Sequence, residues 1–314
     1  MKLAVPGNLL VAGEYLVLRE GGPGLALAVE PRLRAEAERA PRWKVAVLMG
    51  SGGASWSPVE DGARENRFLW SLLEAVERAA LARGLVLAPL ELDLDSRDFS
   101  RADGRKAGFG SSAAAAVAFC LLAGRGAGLG GNELDAFALE AALDGHRAAQ
   151  GGRGSGYDVF ASFHGGAGLF EGGRVPRWTA LPGFALPEGR VFSGKAPVSS
   201  AEAVAAFEAW TRREPAASAR LLDASERAVR ALARAPDAAA FLERLELART
   251  AGVAIGDAIG FPARLETPPG FEGAIFKASG AGDELGLAFF PPGARDIPPG
   301  LGRVAPAGGP SWNS

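Results

Sequence analysis

Three glycine-rich stretches hold most of the side chains in this chain that could do chemistry. The first is Lys106-Ala107-Gly108-Phe109-Gly110-Ser111-Ser112-Ala113, and an apolar run follows it directly. Gly108 and Gly110 permit a tight turn and a close approach to the backbone. A helix starting there presents unpaired N–H groups and the positive end of its dipole, a combination that binds phosphate. Ser111 and Ser112 offer hydroxyls to a phosphate or a cation, or to the N-cap of a helix beginning at Ala113. Lys106 adds a mobile ammonium. A capped, buried helix without any ligand accounts for the same residues equally well. The second stretch, GGRGSGYDV over 151–159, carries Asp158, which reads as a positioned base or as a helix cap. The third, SGAGD over 279–283, follows a strand ending at Lys277 and reads as an N–H nest for an anion or as a hairpin turn.

Two familiar nucleotide loops fit poorly. Gly108-x-Gly110-x-x-Ala113 satisfies the dinucleotide fingerprint, but about a dozen residues separate it from the preceding strand pattern LELDLD. The acid expected about 20 residues on falls near Glu133, at a helix start. The Walker pattern G-x-x-x-x-G-K-[ST] is absent from the sequence.

Composition narrows the classes. The chain has 314 residues, 48% apolar and 22% charged, enough to bury a core. A net charge of -2 and the lack of a Lys/Arg block argue against nucleic-acid binding. Cys120 is the one cysteine, and with only His146 and His164 beside it no His/Cys zinc site is expected. A hard cation held by oxygen and phosphate stays open. Five lysines stand against 29 arginines, and Lys106, Lys195 and Lys277 all lie beside Gly/Ser-rich stretches. Pro6-Gly7-Asn8 interrupts the apolar start, no basic cluster precedes it, and no run of eighteen apolar residues occurs. A soluble cytoplasmic protein is the expectation, without a membrane segment.

The elements that must position these loops follow from periodicity. KLAV, NLLVA, YLVL, LALAV, LRAEAE and WKVAVLM read as short strands. Helical spacing runs over 66–84, with Gly84 as C-cap, and over 132–150, with Asn132 as N-cap. LAPLELDLD alternates as a strand, and GAGLF with RVPRW reads as a hairpin. Helices are expected near 200–212, 215–235 and 237–259, then a strand GAIFKA and another after the third glycine loop. The tail from Pro291 reads as irregular. The whole is an α+β chain in two halves, 1–185 and 186–314.

PGNLLVAGEYLVL (6–18), KAGFGSSAAAAV (106–117) and KASGAGDELGLAF (277–289) resemble the three motifs of the GHMP kinases. GEY in the first motif, HRAAQGGRGSGYDV (146–159) and SGKAPVSSAEAV (193–204) are most similar to the phosphomevalonate kinases. The resemblance implies a two-domain GHMP-kinase-like fold with the active site in the cleft between the halves. It implies ATP phosphates on Gly108, Gly110, Ser111, Ser112 and Ala113, with Mg²⁺ at Ser112. Asp158 matches the family's catalytic aspartate, and Lys106 is placed beside it as the second catalytic group. Asn8, Tyr15, His146, Arg147, Ser155, Lys195, Ser279, Gly280 and Ala281 are the expected acceptor contacts. The implied reaction carries the γ-phosphoryl of ATP to 5-phosphomevalonate, giving 5-diphosphomevalonate, in a monomer or homodimer. Alternatives are a GHMP kinase acting on mevalonate or a sugar, and a catalytically impaired nucleotide-binding relative.

Two positions depart from the family pattern. Asn8 stands where the relatives carry Lys, so a charge-assisted contact is missing or supplied elsewhere. The third motif is short, SGAGD-E in place of SGAGGGD. A second magnesium ligand is unassigned, with Glu140 and Asp144 as weak candidates.

Overall fold

The computed structural model describes residues 1–50, 52–194, 200–280 and 285–313. The strands are β1 (Lys2–Ala12), β2 (Pro23–Arg39), β3 (Lys44–Met49), β4 (Gly52–Trp56), β5 (Leu90–Asp95), β6 (Ala167–Glu171), β7 (Arg177–Ala180), β8 (Gly189–Ser193), β9 (Ile275–Ala278), β10 (Leu285–Phe289), β11 (Gly302–Arg303) and β12 (Ser311–Asn313). The helices are α1 (Gly62–Glu65), α2 (Arg67–Leu81), α3 (Ser111–Gly126), α4 (Gly131–Ala149), α5 (Tyr157–His164), α6 (Ser200–Arg213), α7 (Pro215–Leu232) and α8 (Ala238–Ile259). By internal contacts the chain forms two units, the first 1–8, 28–165 and 307–314, the second 9–27 and 166–306. These units do not follow the division at residue 185 read from the sequence. Residues 23–27 of β2 pair antiparallel with β6, which draws both segments into the second unit.

In the first unit, β2 runs antiparallel to β5 over Arg34–Arg39, and β3 lies parallel to β5. A parallel neighbour needs a crossover, and the segment from β4 through α2 supplies it. Leu33, Ala35 and Ala37 are buried while Arg34, Glu36 and Glu38 are exposed, the period of two expected of a strand with one wet face. The α2 stripe Leu69, Leu72, Leu73, Val76 and Ala80 is buried at helical spacing, and the Asn66 side chain caps the helix by accepting from Leu69 N at 3.1 Å. Helix α3 is buried from Ala113 to Gly124, which explains its uniformly apolar sequence. Helix α4 packs on both α2 and α3. At Gly145 the α2 backbone leaves no room for a side chain, since a Cβ would lie 3.0 Å from Leu72 Cα and 3.1 Å from the Ser71 carbonyl oxygen.

The second unit has the β6–β7 hairpin and an antiparallel sheet in the order β11-β8-β10-β9. Its helices α6, α7 and α8 pack on one another, and Asp237 caps α8 by accepting from Ala240 N at 2.8 Å.

Several elements differ from the sequence reading. KLAV and NLLVA form one strand, as do LALAV and LRAEAE, because pairing carries the chain through Pro6-Gly7 and through Pro31. YLVL is a 3-10 turn over Leu16–Leu18, entered through Tyr15 at φ 65°. Helix α4 starts at Gly131 with Gly130 as its cap, one residue before the expected Asn132. The tail is less irregular than expected. β12 pairs with β1, Arg32 donates to the carbonyls of Gly308 and Gly309, and Arg125 lies 4.9 Å over the Trp312 ring, all within the first unit. No helix among the described residues is long and apolar enough to cross a membrane.

Two measurements check this packing. Gly145→Ala lowers stability by about 1–3 kcal/mol, read from the urea midpoint, because a methyl group overpacks the α2–α4 contact. Burial pushes the Cys120 thiol far up from its ordinary pKa, so native protein at pH 8 stays unalkylated by iodoacetamide while urea-unfolded protein reacts.

Candidate functional site

The first glycine loop ends where α3 begins. Gly110 is the N-cap residue, in the left-handed region at φ 72°. The helix therefore starts at Ser111, not Ala113, and neither serine hydroxyl caps it. Glycine at 110 leaves both hydroxyls uncommitted to the backbone. The first ladder bond runs from Ala114 N to the Gly110 carbonyl at 3.2 Å, so the N–H groups of Ser111, Ser112 and Ala113 precede the ladder. Ser112 and Gly108 are exposed, and Lys106 is an exposed ammonium with no ion-pair partner among the described residues. This is a surface suited to an anion with a cation beside it.

β1 passes directly under this loop. Asn8 N donates to the Phe109 carbonyl at 2.9 Å. The Asn8 side chain is 3% exposed, and its Nδ2 donates to Ser162 Oγ at 3.0 Å and to the Gly110 carbonyl at 3.4 Å. A Cβ on Gly110 would sit 2.2 Å from that Nδ2. Asn8 was expected as an acceptor contact. Its amide instead joins β1, the loop and α5, and the sequence held no signal of the Ser162 partner.

Asp158 lies in the first turn of α5, whose N-cap is Gly156. It is thus not the helix cap, although the dipole there favours its charge. One carboxylate oxygen accepts from Val159 N at 2.9 Å. The other lies 3.7 Å from His146 Nδ1, and His146 Nε2 lies 3.3 Å from Ser112 Oγ. Three expected site residues, Ser112, His146 and Asp158, therefore form one line within the first unit. Arg147 holds the incoming loop, its Nε donating to the Gly154 carbonyl at 3.0 Å and a terminal nitrogen to the Ser155 carbonyl at 2.6 Å. Burial lowers its pKa, opposed by the charges of Asp144 and Asp158. The Ser155 hydroxyl is 3.5 Å from Tyr157 N.

Of the remaining expected residues, Tyr15, Ser279 and Gly280 belong to the second unit. Tyr15 is 7% exposed, stacks on Phe207 with ring centroids 5.1 Å apart, and has no hydrogen-bond partner for its hydroxyl among the described residues. Burial, reinforced by the Glu14 charge, pushes its pKa well up. Ser279 donates to the Leu10 carbonyl at 3.1 Å and leads into Gly280. Lys195 and Ala281 lie outside the described residues. Sequence reasoning missed a buried ion pair. Lys277 donates to Glu14 and to the Ala278 carbonyl, so it is committed within the protein rather than free for phosphate. Glu14, Tyr15, Arg249, Lys277 and Gly280 line a small pocket there. Among the described residues no three His, Cys, Asp or Glu cluster as a metal cage.

This mixed α/β fold is similar to that of several solved small-molecule kinases, and part of the chain matches a kinase family model. Residues 68–166 match the family model described as the GHMP kinases N terminal domain, a span that holds the first glycine loop, His146 and Asp158. A Lin0012 protein from Listeria innocua superposes with a TM-score of 0.79 at 20% identity, covering 95% of this chain and 92% of that one. Streptococcus pneumoniae phosphomevalonate kinase, in complex with phosphomevalonate and AMPPNP, superposes at 0.72 with 17% identity and 92% of each chain covered. The mevalonate kinase of L. major, in complex with R-mevalonate, gives 0.66 at 18% identity over 100% of this chain and 97% of that one. No curated protein matches the sequence closely enough to count as a relative.

Removing one member of the Glu14–Lys277 pair strands a buried charge. Glu14→Gln or Lys277→Met singly lowers unfolding stability by about 3–5 kcal/mol, and the double variant loses less than the two combined, as denaturant titration of all three variants reads directly.

Proposed function

We propose that this protein is a kinase that carries the γ-phosphoryl of ATP to 5-phosphomevalonate, giving 5-diphosphomevalonate. The observation that carries the reading is the convergence of a helix N-terminus open at Ser111 and Ser112 with His146 and Asp158 inside the segment that matches the kinase family model. Phosphoryl transfer needs positioning and charge neutralisation more than covalent help. In this reading the N–H groups of Ser111 and Ser112 hold ATP phosphate oxygens, the expected contact at Ala113 being closed by its burial, and Lys106 faces them from the exposed side of the loop. The acceptor class rests on the motifs 146–159 and 193–204, and agrees with the phosphomevalonate bound by the pneumococcal enzyme.

The donor set fits magnesium in part. Mg²⁺ binds through one or two protein groups together with substrate phosphates and water. The exposed Ser112 hydroxyl and the partly exposed Asp158 carboxylate suit that pattern. When bound, the ion neutralises phosphate charge. The acceptor phosphate is already ionised near neutral pH, its second pKa being about 6. Asp158 therefore serves as an orienting group more than as a proton acceptor. Asn8 brings no charge and its amide is engaged by Ser162 and Gly110. In this reading Lys106 supplies the charge that the relatives place at that position.

The test is ADP release with ATP and Mg²⁺, using 5-phosphomevalonate, mevalonate, galactose or no acceptor. Turnover with 5-phosphomevalonate alone is expected. Turnover with mevalonate or galactose moves the acceptor, and silence with all three favours an impaired relative. Asp158→Asn is expected to lower kcat about 100-fold or more with KM changed only a few-fold, and an unchanged kcat removes Asp158 from the catalytic groups.

A further inference from the structure

His146 was expected to touch the acceptor, but its surroundings point elsewhere. The ring is 2% exposed. Phe68 meets it edge-on, with centroids 6.2 Å apart and planes at 87°. The tight α2–α4 contact at Gly145, one residue earlier, fixes the backbone that carries it. Both ring nitrogens face protein atoms. Nε2 is 3.3 Å from Ser112 Oγ, and Nδ1 faces Asp158 Oδ2 at 3.7 Å with no hydrogen-bond partner among the described residues. A buried polar atom with no partner calls for an explanation.

An imidazole between a hydroxyl and a carboxylate can place one ring proton in two ways. With the proton on Nε2, the Nδ1 lone pair faces a carboxylate oxygen, acceptor against acceptor. With the proton on Nδ1, the N–H points at Asp158 and the Ser112 hydroxyl donates to Nε2. Only the second arrangement satisfies both ends. It also leaves the lone pairs of the Ser112 oxygen turned away from the ring, toward the exposed side of the helix N-terminus.

We propose that His146 is a positioning residue, with its proton on Nδ1, that holds the Asp158 carboxylate at one nitrogen and orients the Ser112 hydroxyl at the other. It ties the loop that would meet phosphate to the carboxylate that would meet the acceptor. A small rotation of the Asp158 carboxylate closes the 3.7 Å separation to a hydrogen bond. The catalytic consequence rests on the kinase reading above. The tautomer does not, and can be read without any substrate.

The experiment therefore has two parts. Long-range ¹H–¹⁵N NMR of the wild-type protein reads the tautomer directly. Only His146 and His164 contribute, and the signal lost in His146→Asn is that of His146. A proton on Nδ1 alone is expected, and a proton on Nε2 overturns the proposal whether or not the enzyme accepts phosphomevalonate. Kinetics then test the consequence, on whichever acceptor the wild type turns over. His146→Ala is expected to lower kcat about 10–100-fold, with KM for ATP and for the acceptor changed less than about 3-fold. His146→Asn, whose amide can stand near Nδ1, recovers more of that kcat than His146→Gln, whose amide can stand near Nε2. Combining His146→Ala with Asp158→Asn costs less than the product of the two single losses, because the Asp158 contact is removed twice and only the Ser112 contact is lost anew. Multiplicative losses in the double variant, or a raised KM at unchanged kcat, overturn the positioning role and return His146 to the acceptor contacts. A wild type silent toward every acceptor sinks the kinase reading and leaves the NMR result to decide the tautomer.

Discussion

A single neutral amide holds the candidate site of the first unit together. Asn8 brings β1 under the glycine loop and donates its two side-chain hydrogen bonds to Ser162 and to Gly110. The approach is so close that neither Gly7 nor Gly110 could carry a side chain. A Cβ on Gly7 would sit 2.5 Å from the Phe109 carbonyl oxygen, and one on Gly110 would sit 2.2 Å from the Asn8 amide. The glycine loop, the start of α3 and helix α5 all meet at that contact. A buried amide is tolerable because its donors are met, whereas a lysine ammonium in the same place needs a charged partner or a path to water. Neither neighbour of the Asn8 side chain, a hydroxyl and a carbonyl, is charged. The residue that departs most from the kinase motif is therefore matched to its surroundings.

The second unit meets the same problem with charge. Lys277 and Glu14 neutralise each other in the interior, and the ammonium also reaches the Ala278 carbonyl. Such a pair adds little stability over an apolar replacement but is sensitive to the loss of either member. It joins the first motif to the third, through residues 263 positions apart. Tyr15, beside Glu14, enters a 3-10 turn at φ 65°, a conformation that costs a bulky residue some strain. Stacking on Phe207 offsets part of that strain.

Much of the local structure was legible in the sequence. Helices α2, α7 and α8 announced themselves by apolar spacing, while their caps at Asn66 and Asp237 became visible only in the structure. The strand ends were less legible. β1 and β2 run through residues that usually break strands, because pairing with neighbours outweighs the local preference of Pro and Gly. The 3-10 turn at Leu16–Leu18 shows the reverse, an apolar run that alternation alone would make a strand.

The sequence by itself determined where a glycine loop meets an apolar helix, which acid follows the second loop, and that a lysine precedes the third. Those are local facts, carried by residue type and spacing along a few turns of chain. The tertiary structure alone decided the partners. It buried the Asn8 amide against Ser162, 154 residues away, and paired Lys277 with Glu14 instead of leaving it free for phosphate. It set His146 between Ser112 and Asp158, three residues on three different helices. No periodicity records such meetings. They arise when helices pack at fixed distances and bring into contact side chains that the chain itself keeps apart.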